Sequence, residues 1–382
     1  MKNVIIVGAG RLGKGFMGET FYNAGWKITF LDNDPRVIQE LNRTNTYEVS
    51  VHTTKRVFTN TIKNYDAYLV DDYEHVLKAF LKADLLMLPL YPSDFPAAAN
   101  ELAVYFNQQF KVDPTAKKTL ICLTNKNHLI NQITQDFRSH LADDEVRNWF
   151  DQNVVIRDSI VRRSTDADSN YATKLVTTAV ASLIIQGPVY SDFSDVKWLD
   201  VRDNVEMLKD IKVFTINGPH ATTAYEGYLQ GYDDIAKAET DEKVHQLVQG
   251  VHDETIEAVL YEYPVTRDQI RELEYLPAAK DEMSDSIYRV GFDPIRKVGK
   301  NDRLMGVINL CEKYHLPYNA HVKALAAAFA YDEPRDSQAM KIQADIKEMG
   351  ITKTISKYIE RPTTNTVVQQ IAAEYDKIKK QR

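Results

Sequence analysis

The 382-residue chain is poor in cysteine, with only Cys122 and Cys311, and neither stands at metal-ligand spacing from another cysteine or a histidine. Two cysteines cannot build a disulfide framework, so the composition indicates a reducing compartment, and we expect a cytoplasmic protein. The sequence also lacks any run of about 18 uninterrupted apolar residues, the length that a membrane-spanning helix requires. We therefore expect no membrane partner.

An excess of positive charge is missing as well. The 47 lysines and arginines are outnumbered by 54 aspartates and glutamates, which gives a formal net charge of −7. This balance gives no electrostatic reason to expect binding to nucleic acid or to an anionic membrane. We expect a small molecule as the partner, and a monomer or small homo-oligomer as the assembly.

The arrangement of hydrophobic residues predicts two domains of different class. Short β-rich runs alternate with helical patterns in the first half, as in a doubly wound parallel sheet, and YEVSVHTTKRVF (47–58) predicts an inserted antiparallel hairpin. After about residue 200 the period changes to 3.6, for example in ETDEKVHQLVQGVHDETIEAVLYEY. The candidate strands are NVIIVGAG, KITFLD, DLLMLPL, TLICLTN, NVVIRDSIV and LIIQGPVY.

A glycine pattern directly follows the first candidate strand. Gly8, Gly10 and Gly13 have the G-x-G-x-x-G spacing, and a tight turn with close backbone approach to a pyrophosphate requires residues without Cβ. The pattern predicts a Rossmann-type NAD-binding domain. A charged stretch from Asp192 to Asp203 sets its end, which gives an NAD-binding domain at 1–197 and an all-helical substrate domain at 198–382. A similar turn with no ligand is the alternative. The predicted cofactor-binding residues are Gly8, Ala9, Gly10, Arg11, Leu12, Gly13, Asp32 and Asn33.

Asp32 ends the second candidate strand, close to the roughly 20 positions after the last glycine expected of a ribose-binding acid. Its carboxylate would accept hydrogen bonds from the adenosine ribose and repel a 2′-phosphate. Asn33 and Asp34 supply no cation, which favours NAD over NADP, although Arg36 lies nearby.

The stretch KVFTINGPH contains three polar residues, Lys212, Asn217 and His220. At 100° per residue, a continuous α-helix would turn Asn217 by about 140° and His220 by about 80° from Lys212, within one broad arc. Pro219 clashes with the carbonyl of Thr215 in such a helix and predicts a kink or a new helix there. The alternative is a solvated lysine, a capping asparagine and a core histidine without a common role.

The same stretch matches the K-x4-N-x2-H motif, and the chain resembles the polyol-specific long-chain dehydrogenases, most of all the members that act on mannitol 1-phosphate. GAGRLGKGF, DSIVRR, HATTAY and RVGFDPIRKVGKNDRL extend the resemblance over nearly the whole length. It implies a metal-independent enzyme that passes hydride between NAD(H) and a polyol phosphate or its ketose phosphate. It further implies that Lys212 is the general acid/base, that Asn217 and Asn125 hold the reacting oxygen, and that His220 orients it.

Cations near RVGFDPIRKVGKNDRL are predicted to bind a phosphate or sugar hydroxyls, although a solvated basic face is the alternative. The predicted substrate-binding residues are Arg162, Arg163, Arg289, Arg296 and Lys297. Four positions depart from the family pattern: Arg162 replaces a carboxylate, Phe292 an arginine, Thr124 an acidic residue, and LPLYP at 88–92 a glycine-containing turn. These departures affect the predicted substrate more than the predicted chemistry.

Two other functions remain open at this point. A relative that acts on another polyol would share KVFTINGPH, whereas a hydroxy-acid or sugar-acid reductase would explain the clustered cations but not this stretch. A catalytically silent NAD-binding regulator of polyol uptake or transcription would explain the departures, but it gives no reason for Lys212, Asn217 and His220 to occur together.

Overall fold

The computed structural model of the chain describes residues 2–281 and 285–381. They form two compact units, residues 2–209 with 276–281, and residues 210–275 with 285–381. The domain boundary expected after residue 197 stays a prediction. In the structure the first unit extends to Lys209 because a strand at Leu199–Arg202 pairs with a strand at Leu183–Gln186.

The first unit contains the strands and seven helices, of which the last continues into the second unit. The strands are β1 (Asn3–Val7), β2 (Lys27–Asp32), β3 (Thr46–His52), β4 (Val57–Lys63), β5 (Asp66–Leu69), β6 (Leu85–Leu88), β7 (Lys118–Cys122), β8 (Val154–Ile160), β9 (Thr165–Asp166), β10 (Lys174–Thr178), β11 (Leu183–Gln186) and β12 (Leu199–Arg202). The helices are α1 (Glu19–Asn23), α2 (Pro35–Thr44), α3 (Tyr73–Phe80), α4 (Phe95–Val112), α5 (Ile130–Ser139), α6 (Asp144–Asn153) and α7 (Val205–Lys212). A π-helical segment, Gly13–Gly18, precedes α1, and a 3₁₀ turn, Pro92–Asp94, precedes α4.

Eight strands form one sheet in the order β12-β11-β8-β7-β6-β1-β2-β5. All neighbours in it are parallel except β8 and β11. Its inner strands are nearly continuous in apolar residues because helices cover both faces, and all four residues of β6 are buried. The six strands from β5 to β8 have the order of a doubly wound dinucleotide-binding sheet, which confirms the expected fold of this unit.

The predicted hairpin is present as β3 and β4, which are antiparallel. It belongs to a second, four-stranded sheet in the order β4-β3-β10-β9, where β10 runs parallel to β3. The pattern of the sequence missed β9 and β10 because both are short and β10, KLVTT, carries few apolar residues.

The second unit has only helices as regular elements among its described residues. They are α8 (Gly218–Leu229), α9 (Ile235–Glu239), α10 (Glu242–Glu262), α11 (Arg267–Glu274), α12 (Ile287–Gly291), α13 (Pro294–Lys297), α14 (Met305–Tyr314), α15 (Asn319–Ala330), α16 (Ser337–Met349), α17 (Ile351–Ile359) and α18 (Thr366–Gln381). A π-helical segment, Val213–Asn217, joins α7 to α8. The core surrounds α15, whose residues from Ala324 to Ala330 are fully buried. The expected all-helical second half is confirmed.

No helix in residues 2–281 or 285–381 is long and apolar enough to cross a membrane.

Candidate active site

The glycine turn after β1 depends on the absence of side chains. Gly8 has a φ of +104°, and a Cβ on Gly13 would lie 1.9 Å from the carbonyl oxygen of Gly8. A Cβ on Gly10 would find its nearest neighbour, Asn170 Oδ1, at 3.7 Å. Gly13 is therefore required by the turn itself, whereas Gly10 leaves room on its outer side for the close approach of a ligand.

The carboxylate of Asp32 lies at the carboxyl end of β2 and is fixed by two backbone donors. Its Oδ2 accepts a hydrogen bond from the Ala9 N–H (2.8 Å) and its Oδ1 accepts one from the Asp34 N–H (2.9 Å). Each oxygen keeps further acceptor capacity for a ribose hydroxyl. The turn and this carboxylate together fit a dinucleotide.

Arg36, the cation that argued for NADP, is held by its own neighbour. Its Nε donates to Asp34 Oδ1 at 3.0 Å and its Nη2 donates to Asp34 Oδ2 at 2.7 Å. This pairing directs two of the guanidinium N–H groups at Asp34, and the Asp32 carboxylate nearby disfavours a 2′-phosphate.

Two of the four departures from the family pattern lie in loops that follow β6 and β7. In the first loop, Pro89 O and Leu90 Cδ2 each lie 3.1 Å from the position of a Cβ on Gly8, so LPLYP packs directly on the glycine turn. In the second loop, Thr124 is buried and its Oγ1 accepts from the Lys126 N–H (3.3 Å). Asn125 beside it is exposed. Both loops stand at the sheet edge where doubly wound folds bind ligands.

The two arginines after β8 differ sharply. Arg163 is 3% exposed, and its Nη2 donates to Glu19 Oε2 (2.8 Å) while its Nε donates to Thr177 Oγ1 (2.9 Å). Its guanidinium also lies 4.7 Å from the ring centroid of Phe16. These contacts favour a role for Arg163 in the packing of the first unit, and its predicted role in substrate binding stays a prediction. Arg162 is half-buried, and its role stays a prediction.

Lys212 and Asn217 lie on a helical stretch that is not a continuous α-helix. α7 ends at Lys212, and in the π-helical segment Val213–Asn217 the Gly218 N–H donates to Val213 O, five residues earlier. A turn closed by a bond between residues five apart is wider than an α-helical turn, so the angle between Lys212 and Asn217 is smaller than the roughly 140° of a continuous α-helix and the two side chains lie nearer to one face. Pro219 is accommodated in the first turn of α8, where no N–H is required, and the helical path continues to His220.

His220 lies in a cationic environment. Burial lowers its pKa; Asp285 opposes this, while Arg289, Lys297 and Arg303 reinforce it. The imidazole is therefore neutral at neutral pH, with one nitrogen that donates and one that accepts.

Two of the predicted substrate cations carry carboxylate partners and remain accessible. Arg289 pairs with Asp285, and Arg296 Nε lies 3.2 Å from Asp293 Oδ2. Their side chains are 55% and 46% exposed. Surface pairs of this kind are weak, so both arginines remain able to bind an anion.

Lys297 differs from these arginines because it is buried. Its Nζ donates to the carbonyl oxygens of Val290 and Phe292, and burial lowers its pKa to about 6. These bonds close the connection between α12 and α13 and favour a structural role for Lys297, whose predicted role in substrate binding stays a prediction. Phe292 itself is 45% exposed, in edge contact with Tyr288.

Arg303 is a residue that the sequence reasoning missed. It contributes to the lowered pKa of His220, and its carbonyl oxygen would lie 3.2 Å from a Cβ on Gly218, so its backbone packs on the start of α8. Its Nε donates to Asp302 Oδ1 at 2.7 Å. A signal was available, since Arg303 belongs to the same RVGFDPIRKVGKNDRL segment.

A buried ion pair was also missed, and the sequence offers no signal for it. Lys209 Nζ donates to Asp158 Oδ1 at 2.6 Å, and both side chains are buried. The pair fastens α7 to β8 within the first unit, three residues before Lys212. A buried pair of this kind stabilises the position of α7 only while both partners are present.

Comparison with known proteins decides the family. Residues 2–180 match the mannitol dehydrogenase Rossmann domain, and residues 204–379 match the mannitol dehydrogenase C-terminal domain. The chain belongs to the mannitol dehydrogenase family. This confirms the family and the enzyme class expected from the sequence, an NAD-dependent polyol dehydrogenase.

Two curated relatives match along the whole chain. The mannitol-1-phosphate 5-dehydrogenase of Thermoanaerobacter pseudethanolicus is 27% identical over 387 residues, covering 99% of this chain and 98% of the relative. That of Clostridium acetobutylicum is 24% identical and covers 98% of each chain. Both the sheet-containing first half and the helical second half of this chain are therefore similar to these relatives.

Solved structures support the fold. The Pseudomonas fluorescens mannitol 2-dehydrogenase, a ternary complex with NAD and D-mannitol, has a TM-score of 0.76 at 13% identity and covers 100% of this chain and 92% of its own. A ketopantoate reductase from Ralstonia eutropha has a TM-score of 0.53 at 16% identity, covering 89% of this chain and 99% of its own. The mannitol dehydrogenase likeness is thus the more extensive of the two.

Proposed function

We propose that this dehydrogenase interconverts a polyol phosphate and its ketose phosphate, of the mannitol 1-phosphate and fructose 6-phosphate type, with Lys212 as the acid/base. The observation that supports the proposal is the π-helical segment, whose wider turn brings Lys212 and Asn217 nearer to one face, with His220 following in the same helical path. Full-length similarity to mannitol-1-phosphate 5-dehydrogenases supports the choice of substrate class.

The chemistry requires a hydride acceptor, a base and donors for an oxyanion. The turn from Gly8 to Gly13 and the carboxylate of Asp32 would hold NAD, which when bound accepts hydride from a carbinol carbon or returns it to a ketone.

Proton transfer is assigned to the helical unit. Lys212 takes the proton from the hydroxyl oxygen in one direction and returns it in the other. The side-chain amide of Asn217 donates to the same oxygen as it gains negative charge, and the neutral imidazole of His220 orients it. The family resemblance assigns Asn125 the same task as Asn217.

An anionic substrate is proposed because exposed arginines accompany these residues. Arg289 and Arg296 can form bidentate contacts with phosphate. Arg303 is buried and bonded to Asp302, so it contributes only its positive charge near His220. Arg162 replaces a carboxylate in the family pattern and is proposed to contribute a further positive charge. Arg163 and Lys297 are left out because their contacts are internal.

A hydroxy-acid or sugar-acid reductase is the second candidate. The likeness to a ketopantoate reductase fold and the arginines of the second unit favour it, since a carboxylate would also suit them. A silent NAD-binding regulator is the third, from another class, and would show cofactor binding without turnover. The cytoplasmic location and the oligomeric state stay predictions.

Oxidation of NADH by the purified protein with a panel of ketones separates these candidates. The panel contains fructose 6-phosphate, free fructose, other ketose phosphates and several keto acids, and Lys212→Ala and Lys237→Ala are run beside the wild type. We expect turnover with a ketose phosphate that Lys237→Ala retains and Lys212→Ala loses. Turnover with keto acids alone would select the reductase, and cofactor binding with no turnover on any ketone would select the regulator.

A further inference from the structure

The loop between β9 and β10, residues 167–173, is fastened to the glycine turn by a buried lysine. Lys14 directly follows Gly13, and its Nζ donates to the carbonyl oxygens of Asn170 (2.7 Å) and Ala172 (2.8 Å). The lysine is 1% exposed, and a buried cation is tolerated only with partners of this kind. These bonds fix the β9–β10 loop beside the residues that would hold the pyrophosphate.

Tyr171 lies between Asn170 and Ala172 in this loop, and its contacts indicate a role toward a part of the cofactor other than the pyrophosphate. The guanidinium carbon of Arg36 lies 5.7 Å from the ring centroid of Tyr171, within the range of a cation–π contact. Arg36 is also bonded to Asp34 through Nε and Nη2, which fixes the plane of its guanidinium. Tyr171 nevertheless remains 47% exposed and the Arg36 side chain 72% exposed. The pair therefore offers solvent two flat groups that are already held in place.

The position of this pair indicates what would contact it. The Asp34 N–H donates to Asp32 Oδ1 at 2.9 Å, so the pair adjoins the carboxylate that would bind the adenosine ribose. A purine base linked to that ribose stacks favourably on aromatic rings and guanidinium planes. We propose that Tyr171 and Arg36 form the adenine-contacting wall of the dinucleotide site. This deepens the proposed function, since it rests on NAD binding, but it is independent of the polyol substrate.

Arg36 is thereby assigned a contact through its plane and not through its charge. A guanidinium that bound a 2′-phosphate would need its N–H groups directed at that phosphate, and two of them are directed at Asp34. Tyr171 comes from a loop more than 130 residues along the chain from Arg36, so no local motif could have revealed the pair.

Calorimetric titration with ADP-ribose, which contains the adenosine but no nicotinamide, tests the proposal. The variants are Tyr171→Ala, Tyr171→Leu, which keeps apolar bulk without a flat ring, and Tyr171→Phe, which keeps the ring. Tyr261→Ala is the control, since Tyr261 lies on α10 and is 59% exposed. We expect Kd to rise at least about fivefold in the Ala and Leu variants and to stay within about twofold in the Phe variant, as loss of one base-stacking contact predicts.

A Leu variant that binds ADP-ribose like the wild type would overturn the proposal, and so would a Phe variant as weak as the Ala variant. Thermal unfolding of each variant shows whether the loop change has damaged the fold, and the Leu and Phe variants differ in flatness more than in bulk. No polyol or ketose is present in the titration. A protein that binds ADP-ribose as expected but turns over no ketone would refute the proposed function and leave this inference intact.

Discussion

The basic residues beside the sequence motifs of the two compact units differ in burial. In the first, Arg163 and Lys14 are buried, the one bonded to Glu19 and the other to two backbone carbonyls. In the second, Lys212 and His220 remain partly exposed on the helical path around the π-helical segment. Lys297 is an exception in the second unit, since it is buried like Arg163 and Lys14. Basic residues that look alike in the sequence thus serve packing where they are buried and remain available for chemistry where they are partly exposed.

The largest expected effect tests whether Arg163 serves packing. Arg163→Met should lower the free energy of unfolding by about 3 to 5 kcal/mol, because Glu19 would keep a buried charge without its partner. The measurement is denaturant unfolding in the absence of substrate. The double variant Arg163→Met with Glu19→Gln should recover much of the loss, since it removes both charges.

The opposite result for Arg163→Met would be a change in substrate binding with unchanged stability. If Arg163→Met unfolded like the wild type and instead raised KM for the substrate, Arg163 would be a substrate-binding residue. The assignment of Arg163 to packing would then be wrong.

Lys212→Ala should have the opposite signature. We expect kcat to fall by at least about 100-fold, the usual contribution of a positioned acid or base, with NADH affinity and unfolding nearly unchanged. An added primary amine should restore part of the activity. Lys237→Ala, an exposed lysine paired with Asp233 on the surface, should change nothing measurable. Near-normal turnover in a folded Lys212→Ala protein would remove the acid/base assignment.

Much of the cofactor site could be predicted from the sequence because its requirements belong to the backbone. Gly8 has a positive φ and Gly13 faces a carbonyl oxygen with no space for a Cβ, so both positions admit glycine alone. Asp32 follows from the spacing because a strand and a helix of ordinary length separate it from the turn. The role of Tyr171 could not be predicted, since it depends on a loop folding back across the sheet unit.

The helical half was less predictable for a physical reason. The sequence places Lys212, Asn217 and His220 in order, but the angle between them depends on whether the helix closes its turns over four residues or five. A hydrogen bond from the Gly218 N–H to Val213 O shows that the turn closes over five residues, and the residue types do not predict this bond. The contrast between Arg162 and Arg163 was likewise invisible, because the partner of Arg163 is supplied by α1.

Cofactor specificity offers a smaller effect within the first unit, where Arg36 is a cation that stays exposed. Asp34→Asn should release its guanidinium for a 2′-phosphate while keeping the N-cap of α2, since asparagine caps as well as aspartate. The ratio of the Kd for NADPH to that for NADH should fall about fivefold, equivalent to roughly 1 kcal/mol for one hydrogen bond. Adding Arg36→Ala should abolish the gain. A ratio that stays unchanged in the single variant would mean that Asp34 does not restrain Arg36 in solution.

The smallest expected effect concerns two histidines of the second unit whose pKa values shift in opposite directions. A hydrogen bond to Glu274 raises the pKa of His252, with burial opposing it, whereas burial lowers that of His220. A raised pKa in the folded state means that His252 contributes stability below its unfolded pKa of 6.5 and loses it as pH rises through the folded value. The lowered pKa of His220 instead removes stability as pH falls below 6.5.

His252→Gln isolates the first of these slopes without altering the residues proposed for catalysis. The variant should be less stable than the wild type at about pH 6 and should approach it at about pH 8.5, with a difference of at most about 1 kcal/mol for a partly exposed pair. Unfolding by denaturant at several pH values measures this, and turnover at fixed pH should be unchanged. His252 is 2.8 Å from Glu274, so Glu274→Gln should give a similar slope by removing the other partner. A difference that grew as pH rose would show that the neutral imidazole is the stabilising form, and the contrast between His252 and His220 would then disappear.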